Sequence, residues 1–264
     1  MPYRVDIAHA EDAVLDRLVE LGALDVERSP GGAIAALIPD GVAPEDVARA
    51  LGVDDVSISP AVGRDAGSVW VLRPRPTRIG RLRIVPAHAA AEPGVLRLID
   101  SAAFGTGLHP TTAMCLEAIE DALQPSTPGS LLDVGAGSGV LALAALLMGV
   151  PQALGLDVDA EALRVAAENA RLNALDRRLR LVRGGPDAVT GTWPLVVANL
   201  LAAPLIELAP VLVRRVGHHG RLVLSGIPSS LESDVDRAYR RLGMHHVRAQ
   251  SRAGWTALVL QASW

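Results

Sequence analysis

The pattern of apolar and polar positions over the first 62 residues predicts a small mixed domain. Alternating or continuously apolar runs predict three strands, at residues 3–8, 33–38 and 56–62. Apolar residues three and four positions apart predict two helices, at residues 10–24 and 44–51. Because these elements are short and the two types alternate, we expect residues 1–62 to form an α+β domain.

The segment from residue 63 to residue 99 interrupts this regular pattern. It contains the sequence Arg-Pro-Arg-Pro at residues 73–76 and two isolated strand-like stretches, at residues 69–72 and 82–85. Proline-rich segments of this kind are typical of connections between domains. We interpret the segment as a linker that contacts the domain on either side of it.

From residue 100 to residue 264 the pattern predicts strands that alternate with helices. Seven apolar stretches predict strands, at residues 131–134, 153–156, 179–182, 194–198, 221–224, 245–249 and 256–261. Such alternation is typical of a parallel sheet covered by helices on both faces, the doubly wound α/β class. The last two strands have no helix between them, so we expect them to pair as an antiparallel hairpin at the sheet edge.

Composition and charge exclude several classes of protein. The formal net charge is -4, so no broad basic field favours binding to nucleic acid, and no direct nucleic-acid contact is expected. The single cysteine, Cys115, cannot form an internal disulfide, and the first residues lack the pattern of a signal peptide. The most apolar run, residues 140–148, is far shorter than the roughly 20 residues that cross a bilayer. These features predict a cytoplasmic protein without a membrane span or bound metal.

A glycine-rich turn follows the first strand of the α/β domain. Gly135, Gly137 and Gly139 allow the main chain to approach a ligand closely, because no Cβ intervenes. Nicotinamide enzymes use G-x-G-x-x-G, but position 140 is Val, so a nicotinamide enzyme is the alternative here and not the preferred interpretation. Asp157 lies 22 residues after Gly135, at the end of the next predicted strand, where a carboxylate can accept both ribose hydroxyls of an adenosine.

These motifs resemble those of one family of methyltransferases. The segments at residues 132–141 and 155–159 resemble the two motifs with which class I methyltransferases bind S-adenosylmethionine. The segment from Ala103 to Thr112 and the sequence Val-Ala-Asn-Leu at residues 197–200 resemble signatures of the ribosomal protein L11 methyltransferase family. The resemblance implies a Rossmann-like seven-stranded sheet, a smaller ferredoxin-like N-terminal domain that recognises the substrate, and transfer of methyl groups to α-amino or lysine amino groups of ribosomal protein L11.

The resemblance also implies roles for particular residues. The cofactor contacts of the family fall on Thr112, Gly135, Asp157 and Asn199, and Gly137 belongs to the same turn as Gly135. Asp187, after the third strand, is a candidate partner for the adenine amino group, although a role in a turn explains an aspartate there equally well.

Two residues are candidates for the chemistry itself. Asn199 is expected at the carboxyl edge of the sheet, where its amide oxygen can accept a hydrogen bond from the incoming amine; its alternative role is to cap the next helix. His109 is a candidate general base, although a histidine beside a glycine turn more often holds a loop in place by hydrogen bonding.

The sequence departs from the family near the substrate-facing parts. Ser101 and Ala102 occupy positions where the family usually has Pro-Gly, and residues 65–70 lack its paired tryptophans with a basic residue. These departures bear on the substrate and leave the cofactor motifs intact. The alternatives are therefore a protein-lysine methyltransferase with another target, a small-molecule methyltransferase, and a cofactor-binding module without activity.

Overall fold

The computed structural model describes residues 3–8, 10–23, 25–28, 32–38, 42–53, 55–60, 69–70, 76–101, 107, 109–124 and 126–264. Its first unit runs β1 (Tyr3–Ile7), α1 (Asp12–Glu20), β2 (Asp25–Arg28), β3 (Ile34–Ile38), α2 (Pro44–Leu51) and β4 (Val56–Pro60), and β5 (Val69–Trp70) joins its sheet. The strand order is β4-β1-β3-β2-β5, and every described pairing is antiparallel. This βαββαβ arrangement is the ferredoxin-like domain that the resemblance implies.

The core of this N-terminal domain follows from the period of each element. Ile34, Ala36 and Ile38 alternate with more exposed residues along β3 and face the buried side chains of Leu15 and Leu18 from α1. Strand β2 was not predicted. Its sequence is Asp-Val-Glu-Arg, in which only the second residue is apolar, so it lacks the alternating pattern that predicts a strand. It is a strand because it pairs with β3.

Part of the predicted linker is a folded three-stranded sheet. It consists of β6 (Thr77–Ile79), β7 (Leu82–Pro86) and β8 (Val95–Leu98), in the order β6-β7-β8. Ile84, Leu96 and Leu98 are fully or almost fully buried in the same hydrophobic cluster as the α/β domain. This sheet is therefore packed as part of the larger unit.

The second half of the chain is a three-layer α/β unit. Its elements are α3 (Pro110–Ala122), β9 (Ser130–Val134), α4 (Val140–Leu147), β10 (Gln152–Asp157), α5 (Ala160–Leu172), β11 (Leu179–Arg183), β12 (Trp193–Asn199), α6 (Ala202–Arg215), β13 (Val216–Pro228), α7 (Glu232–Arg240), β14 (Met244–Arg252) and β15 (Trp255–Ala262). The strand order is β11-β10-β9-β12-β13-β15-β14. The first five strands are parallel, and β15 is antiparallel to both of its neighbours. The seven strands and the hairpin at the edge are confirmed.

Helix α3 was not predicted from the sequence. Nine of its residues, from Pro110 to Ile119, are buried, and a polar stripe of the kind that marks a surface helix appears only in its second half, at Glu117, Glu120 and Asp121. It packs against the sheet on the same side as α4, and the hydrophobic clusters on the two faces of the sheet form the core. Its N-terminus brings residues 109–112 to the carboxyl edge of the sheet.

The register of the central strands aligns three of the predicted site residues. Val134 of β9 pairs with Leu156 of β10 on one side and with Ala198 of β12 on the other. The next residue along each segment therefore lies at the same level, at the carboxyl end of its strand, and these residues are Gly135, Asp157 and Asn199. Parallel strands in an open α/β sheet bind ligands at this edge. Across the described parts of the chain, the helices are too short or too polar to span a membrane.

Candidate functional site

The turn after β9 brings main chain to the edge of the sheet. Gly135 has φ of 78°, in the left-handed region, and a Cβ there would lie 2.5 Å from Cδ2 of Leu200. The main-chain N–H groups of Gly135 and Ala136 donate to the carbonyl of Leu156, at 2.8 and 2.9 Å. The turn is therefore held against β10 and offers a surface without side chains.

Asp157 joins this turn to the following loop. Its Oδ2 accepts a hydrogen bond from the main-chain N–H of Gly137 at 2.9 Å, and its Oδ1 accepts one from that of Asp159 at 3.0 Å. A carboxylate oxygen can accept more than one hydrogen bond, so the partly buried side chain keeps acceptor capacity on its cavity side. The two sequence motifs thus meet at one carboxylate.

Asn199 contacts the start of α3. Its Nδ2 donates to Oγ1 of Thr111 at 3.2 Å and lies 3.4 Å from Oγ1 of Thr112. His109, the N-cap of α3, accepts the main-chain N–H of Thr111, and its ring nitrogens also lie 2.8 Å from Oγ1 of Thr111 and from the carbonyl oxygen of Ala23. Burial lowers the pKa of His109 to about 4, so the ring is neutral near pH 7.

These residues surround a cavity of about 660 Å³. This is in the usual range for small-molecule sites, roughly 300–1,000 Å³. Most of the lining is apolar, and Val158 and Leu201 expose large hydrophobic side chains to solvent at it. The lining residues are His109, Thr111, Val134, Gly135, Gly137, Asp157, Val158, Gly184, Gly185, Pro186, Asn199, Leu200, Leu201, Pro204, Leu208, Gly226 and Trp255. A second cleft, of about 620 Å³ beside α7 and β14, contains none of the residues predicted from the motifs.

The structure brings together most of the predicted site residues. Gly135, Gly137, Asp157, Asn199 and His109 all line the cavity. Thr112 is fully buried behind Asn199 and lies outside the lining. Asp187 is exposed next to Pro186, also outside the lining, where the main chain of residues 184–186 forms the wall. Residues 103–106 and 108 of the signature, and Ala102 before it, lie outside the described residues.

Two residues at the cavity wall, Thr111 and Trp255, were not predicted from the sequence. Thr111 neighbours the predicted Thr112, and only the rotation of α3 decides which of the two hydroxyl groups faces the cavity. Trp255 begins β15, and its indole N–H donates to the carbonyl of Gly22 at 2.8 Å. The sequence did contain a signal for Trp255: a buried tryptophan usually needs a hydrogen-bond acceptor for its indole N–H, and the rest of this predicted strand is mostly apolar.

A buried acid lies beneath the turn. Asp133 of β9 is fully buried; Oδ2 accepts from the main-chain N–H of Ala142 at 3.2 Å, while Oδ1 has no hydrogen-bond partner among the described residues. Burial, with a smaller contribution from the charge of Asp157, raises the pKa of Asp133 to about 7, although the hydrogen bond from Ala142 acts in the opposite direction. Burial also raises the pKa of the Cys115 thiol, so the only cysteine is uncharged.

The comparisons with known proteins agree on one family. A family model described as ribosomal protein L11 methyltransferase (PrmA) matches residues 53–263. A protein of Azotobacter vinelandii named ribosomal protein L11 methyltransferase is 45% identical over 174 residues, which are 64% of this chain and 59% of that protein. One of Geobacter sulfurreducens with the same name is 42% identical over 189 residues, 70% of this chain and 62% of its own length. This chain thus spans less than two thirds of these relatives.

A solved structure extends the similarity to three dimensions. The ribosomal protein L11 methylase of Lactobacillus delbrueckii subsp. bulgaricus superimposes with a TM-score of 0.64 at 28% sequence identity. The superposition covers 70% of this chain and 96% of that one.

Proposed function

We propose that this chain, which belongs to the ribosomal protein L11 methyltransferase family, transfers methyl groups from S-adenosylmethionine to amino groups of a protein. The substrate proposed is ribosomal protein L11, at its α-amino group, at lysine side chains or at both. The observation that carries the proposal is the cavity where the glycine turn, the carboxylate of Asp157 and the carboxamide of Asn199 meet at one edge of the sheet.

The residues of the cavity fit the proposed cofactor. The absence of side chains at Gly135 and Gly137 leaves room for its amino-acid part against the turn. Asp157 has acceptor capacity for the two ribose hydroxyls, and the exposed apolar side chains of Val158 and Leu201 suit the faces of an adenine ring. When bound, this cofactor supplies an electrophilic methyl group on a sulfonium centre.

The chain's own residues would orient the amine and keep it uncharged. The attacking nitrogen must be neutral and aimed at the methyl group, since its lone pair forms the new bond. An α-amino group, with a pKa near 8, is neutral in a useful fraction at pH 7, whereas a lysine, with a pKa near 10.4, is not. Leu200, Pro204 and Trp255 line the cavity, and desolvation by such side chains lowers the pKa of an entering amine.

Asn199 is the proposed catalytic residue. Its Nδ2 donates to Thr111, which leaves Oδ1 to accept an N–H of the substrate amine and point the nitrogen's lone pair away from Asn199. His109 is also a candidate, but its ring nitrogens already contact Thr111 and Ala23. This geometry favours a role in holding the loop over the role of a general base.

The N-terminal domain is the proposed substrate-recognition unit. It folds around its own hydrophobic cluster and reaches the wall of the cavity through Gly22 and Ala23. A protein bound to its surface would therefore lie next to the site of transfer.

The proposal is tested with the purified full-length chain. Titration calorimetry should detect binding of S-adenosylmethionine and S-adenosylhomocysteine and none of NAD; the reverse result would favour a nicotinamide enzyme. Incubation with labelled S-adenosylmethionine and purified L11 should label L11, and mass spectrometry should locate the methyl groups on amino nitrogens. If the cofactor binds but the label appears on another protein, or only on small molecules, the chain is a methyltransferase and L11 is not its substrate.

A further inference from the structure

A turn of the N-terminal domain lies directly behind two residues that line the cavity. The carbonyl of Gly22 accepts a hydrogen bond from the indole N–H of Trp255, and the carbonyl of Ala23 accepts one from Nε2 of His109, both at 2.8 Å. The rings of His109 and Trp255 meet edge to face, with their centres 5.3 Å apart and their planes at 69°. Both rings also line the cavity, so the N-terminal domain is hydrogen-bonded to two residues of the cavity wall.

This contact requires a glycine at position 22. Gly22 has φ of 82°, and a Cβ on it would collide with the carbonyl oxygen of Ala253. Gly32, in the same domain, has nearly the same φ, 85°, but a Cβ there would meet nothing within 4 Å. An alanine at either position would therefore add the same kind of backbone strain. Only the alanine at position 22 would also disrupt the contact between the domains.

The direction of each hydrogen bond between the domains can be assigned. The carbonyl of Ala23 can only accept, so the hydrogen of the neutral imidazole lies on Nε2 of His109. Nδ1 is then an acceptor, which agrees with its contact to the main-chain N–H of Thr111. The hydroxyl of Thr111, 2.8 Å from Nδ1, must therefore donate its only hydrogen to the ring.

This assignment favours one orientation of the Asn199 carboxamide. Because the hydrogen of the Thr111 hydroxyl is committed to His109, Oγ1 is left as an acceptor, and Nδ2 of Asn199 donates to it at 3.2 Å. A carboxamide rotated by half a turn would set its oxygen against this oxygen with no hydrogen between them. The hydroxyl of Thr112, 3.4 Å from the same carboxamide atom, can accept or donate, so it favours neither orientation and the choice is left to Thr111. The arrangement in which Oδ1 of Asn199 faces the cavity is therefore favoured from outside the catalytic domain.

We propose that His109 and Thr111 are positioning residues that make the orientation of Asn199 depend on docking of the N-terminal domain. We call the hydrogen-bonded series Ala23, His109, Thr111 and Asn199 the interdomain relay. When Ala23 is withdrawn, the Nε2–H tautomer of His109 loses its 2.8 Å partner and is favoured only by the longer contact, 3.4 Å, from the main-chain N–H of Thr111 to Nδ1. The other tautomer then becomes accessible, the hydroxyl of Thr111 can turn, and either end of the Asn199 amide can face the substrate. The kinetic consequence rests on the proposed function, since an acceptor at Oδ1 matters for an incoming amine.

The relay is tested first without any substrate. In the full-length protein labelled with ¹⁵N on asparagine side chains, the Asn199 carboxamide resonance is assigned by its loss in Asn199→Asp. Gly22→Ala and Thr111→Val should shift this resonance, whereas Gly32→Ala should leave it in place. Thr111→Ser, which restores the hydroxyl, should return the resonance to the wild-type position.

The kinetic test separates orientation from substrate recognition. Misplaced reacting groups lower the rate of the bound complex, so Thr111→Val should lower kcat about tenfold or more, with the Kd for S-adenosylhomocysteine within about twofold of wild type. Gly22→Ala should lower kcat as well, whereas a defect in recognition alone would raise KM. Thr111→Ser should recover most of the lost kcat.

The outcomes distinguish the two proposals. An Asn199 resonance that stays in place in both Thr111→Val and a folded Gly22→Ala overturns the relay, as does an unchanged kcat in Thr111→Val. If Gly22→Ala fails to fold, Trp255→Phe, which removes the indole N–H that binds the Gly22 carbonyl, takes its place as the variant with weakened docking and is judged by the same criterion. If the wild-type protein methylates no protein amine, the proposed function fails, and the resonance experiment alone decides whether docking orients Asn199.

Discussion

The carboxylate of Asp157 accepts a hydrogen bond from the main-chain N–H of Gly137, with 2.9 Å between the two heavy atoms. The two residues lie 20 positions apart in sequence, in the first and second of the motifs that resemble cofactor-binding motifs. One acid therefore does two things at the cavity: it holds the glycine turn and offers acceptor capacity for a ribose.

Asp157→Ala should weaken binding of S-adenosylhomocysteine about ten- to a hundredfold, because hydrogen bonds to a charged group contribute roughly 1.5–3 kcal/mol. Titration calorimetry measures the change. Asp176→Ala is the matched control, since Asp176 is an exposed aspartate in the loop before β11, outside the cavity lining. Equal affinities of wild type and Asp157→Ala would remove Asp157 from the ribose.

Gly135→Ala should abolish measurable cofactor binding and lower the free energy of unfolding by roughly 1–2 kcal/mol, the usual cost of a left-handed conformation with a Cβ. The added carbon would also press on Leu200 at 2.5 Å. Gly129→Ala, in open space and without a left-handed φ, should change neither quantity. Urea denaturation and calorimetry on both variants measure the two effects. Retained binding in a folded Gly135→Ala would contradict a close approach of the ligand to this turn.

The local sequence pattern was sufficient to predict the main elements of the α/β domain and the position of three site residues. Strand ends and a glycine turn place Gly135, Asp157 and Asn199 at one sheet edge, because strand register follows from the apolar strands themselves. Helix α3 was not predicted because its first seven residues, 110–116, are all buried and uncharged, so polar positions with a helical period begin only at Glu117.

The contacts between domains could not be read from the sequence. The hydrogen bond from Trp255 to Gly22 joins residues 233 positions apart, and that from His109 to Ala23 spans 86 positions. No local propensity encodes either contact, since both acceptors are main-chain carbonyls that every residue carries. The choice between Thr111 and Thr112 at the cavity likewise depends on how α3 packs.

Asn199→Asp should lower turnover far more than it lowers cofactor affinity. The shape of the side chain is kept, but a carboxylate next to the amine stabilises the protonated, unreactive form and raises the pKa of that amine. We expect kcat to fall at least tenfold at pH 7, with partial recovery as the pH rises and the amine is deprotonated. Single-turnover kinetics from pH 6.5 to 9.5 measure this. If the cofactor Kd and kcat worsen by the same factor, Asn199 is a cofactor contact only.

The buried acid of β9 should make the protein less stable as the pH rises. Burial raises the pKa of Asp133 from an ordinary 3.8 to about 7, so between these values the folded chain holds a proton that the unfolded chain has lost. Over that window the free energy of unfolding falls with rising pH, by a total on the order of 4 kcal/mol from this one group. Asp133→Asn removes the titration, and its stability relative to wild type should therefore increase from pH 4 to pH 7.

His109 should make the free energy of unfolding rise with pH, opposite to Asp133, over nearly the same pH range. Burial lowers its pKa from 6.5 to about 4, so between these values the unfolded chain holds the extra proton and stability rises with pH. The two slopes largely cancel in the wild type, which we expect to show little pH dependence from this pair.

Urea denaturation at pH 4.5 and 7.5 should show increasing stability for Asp133→Asn and decreasing stability for His109→Gln, relative to wild type. The exposed control Asp176→Asn should follow the wild type. Parallel curves for Asp133→Asn and wild type would mean that Asp133 is ionised in the folded protein throughout, and its unpartnered Oδ1 would then need a hydrogen-bond donor such as a buried water.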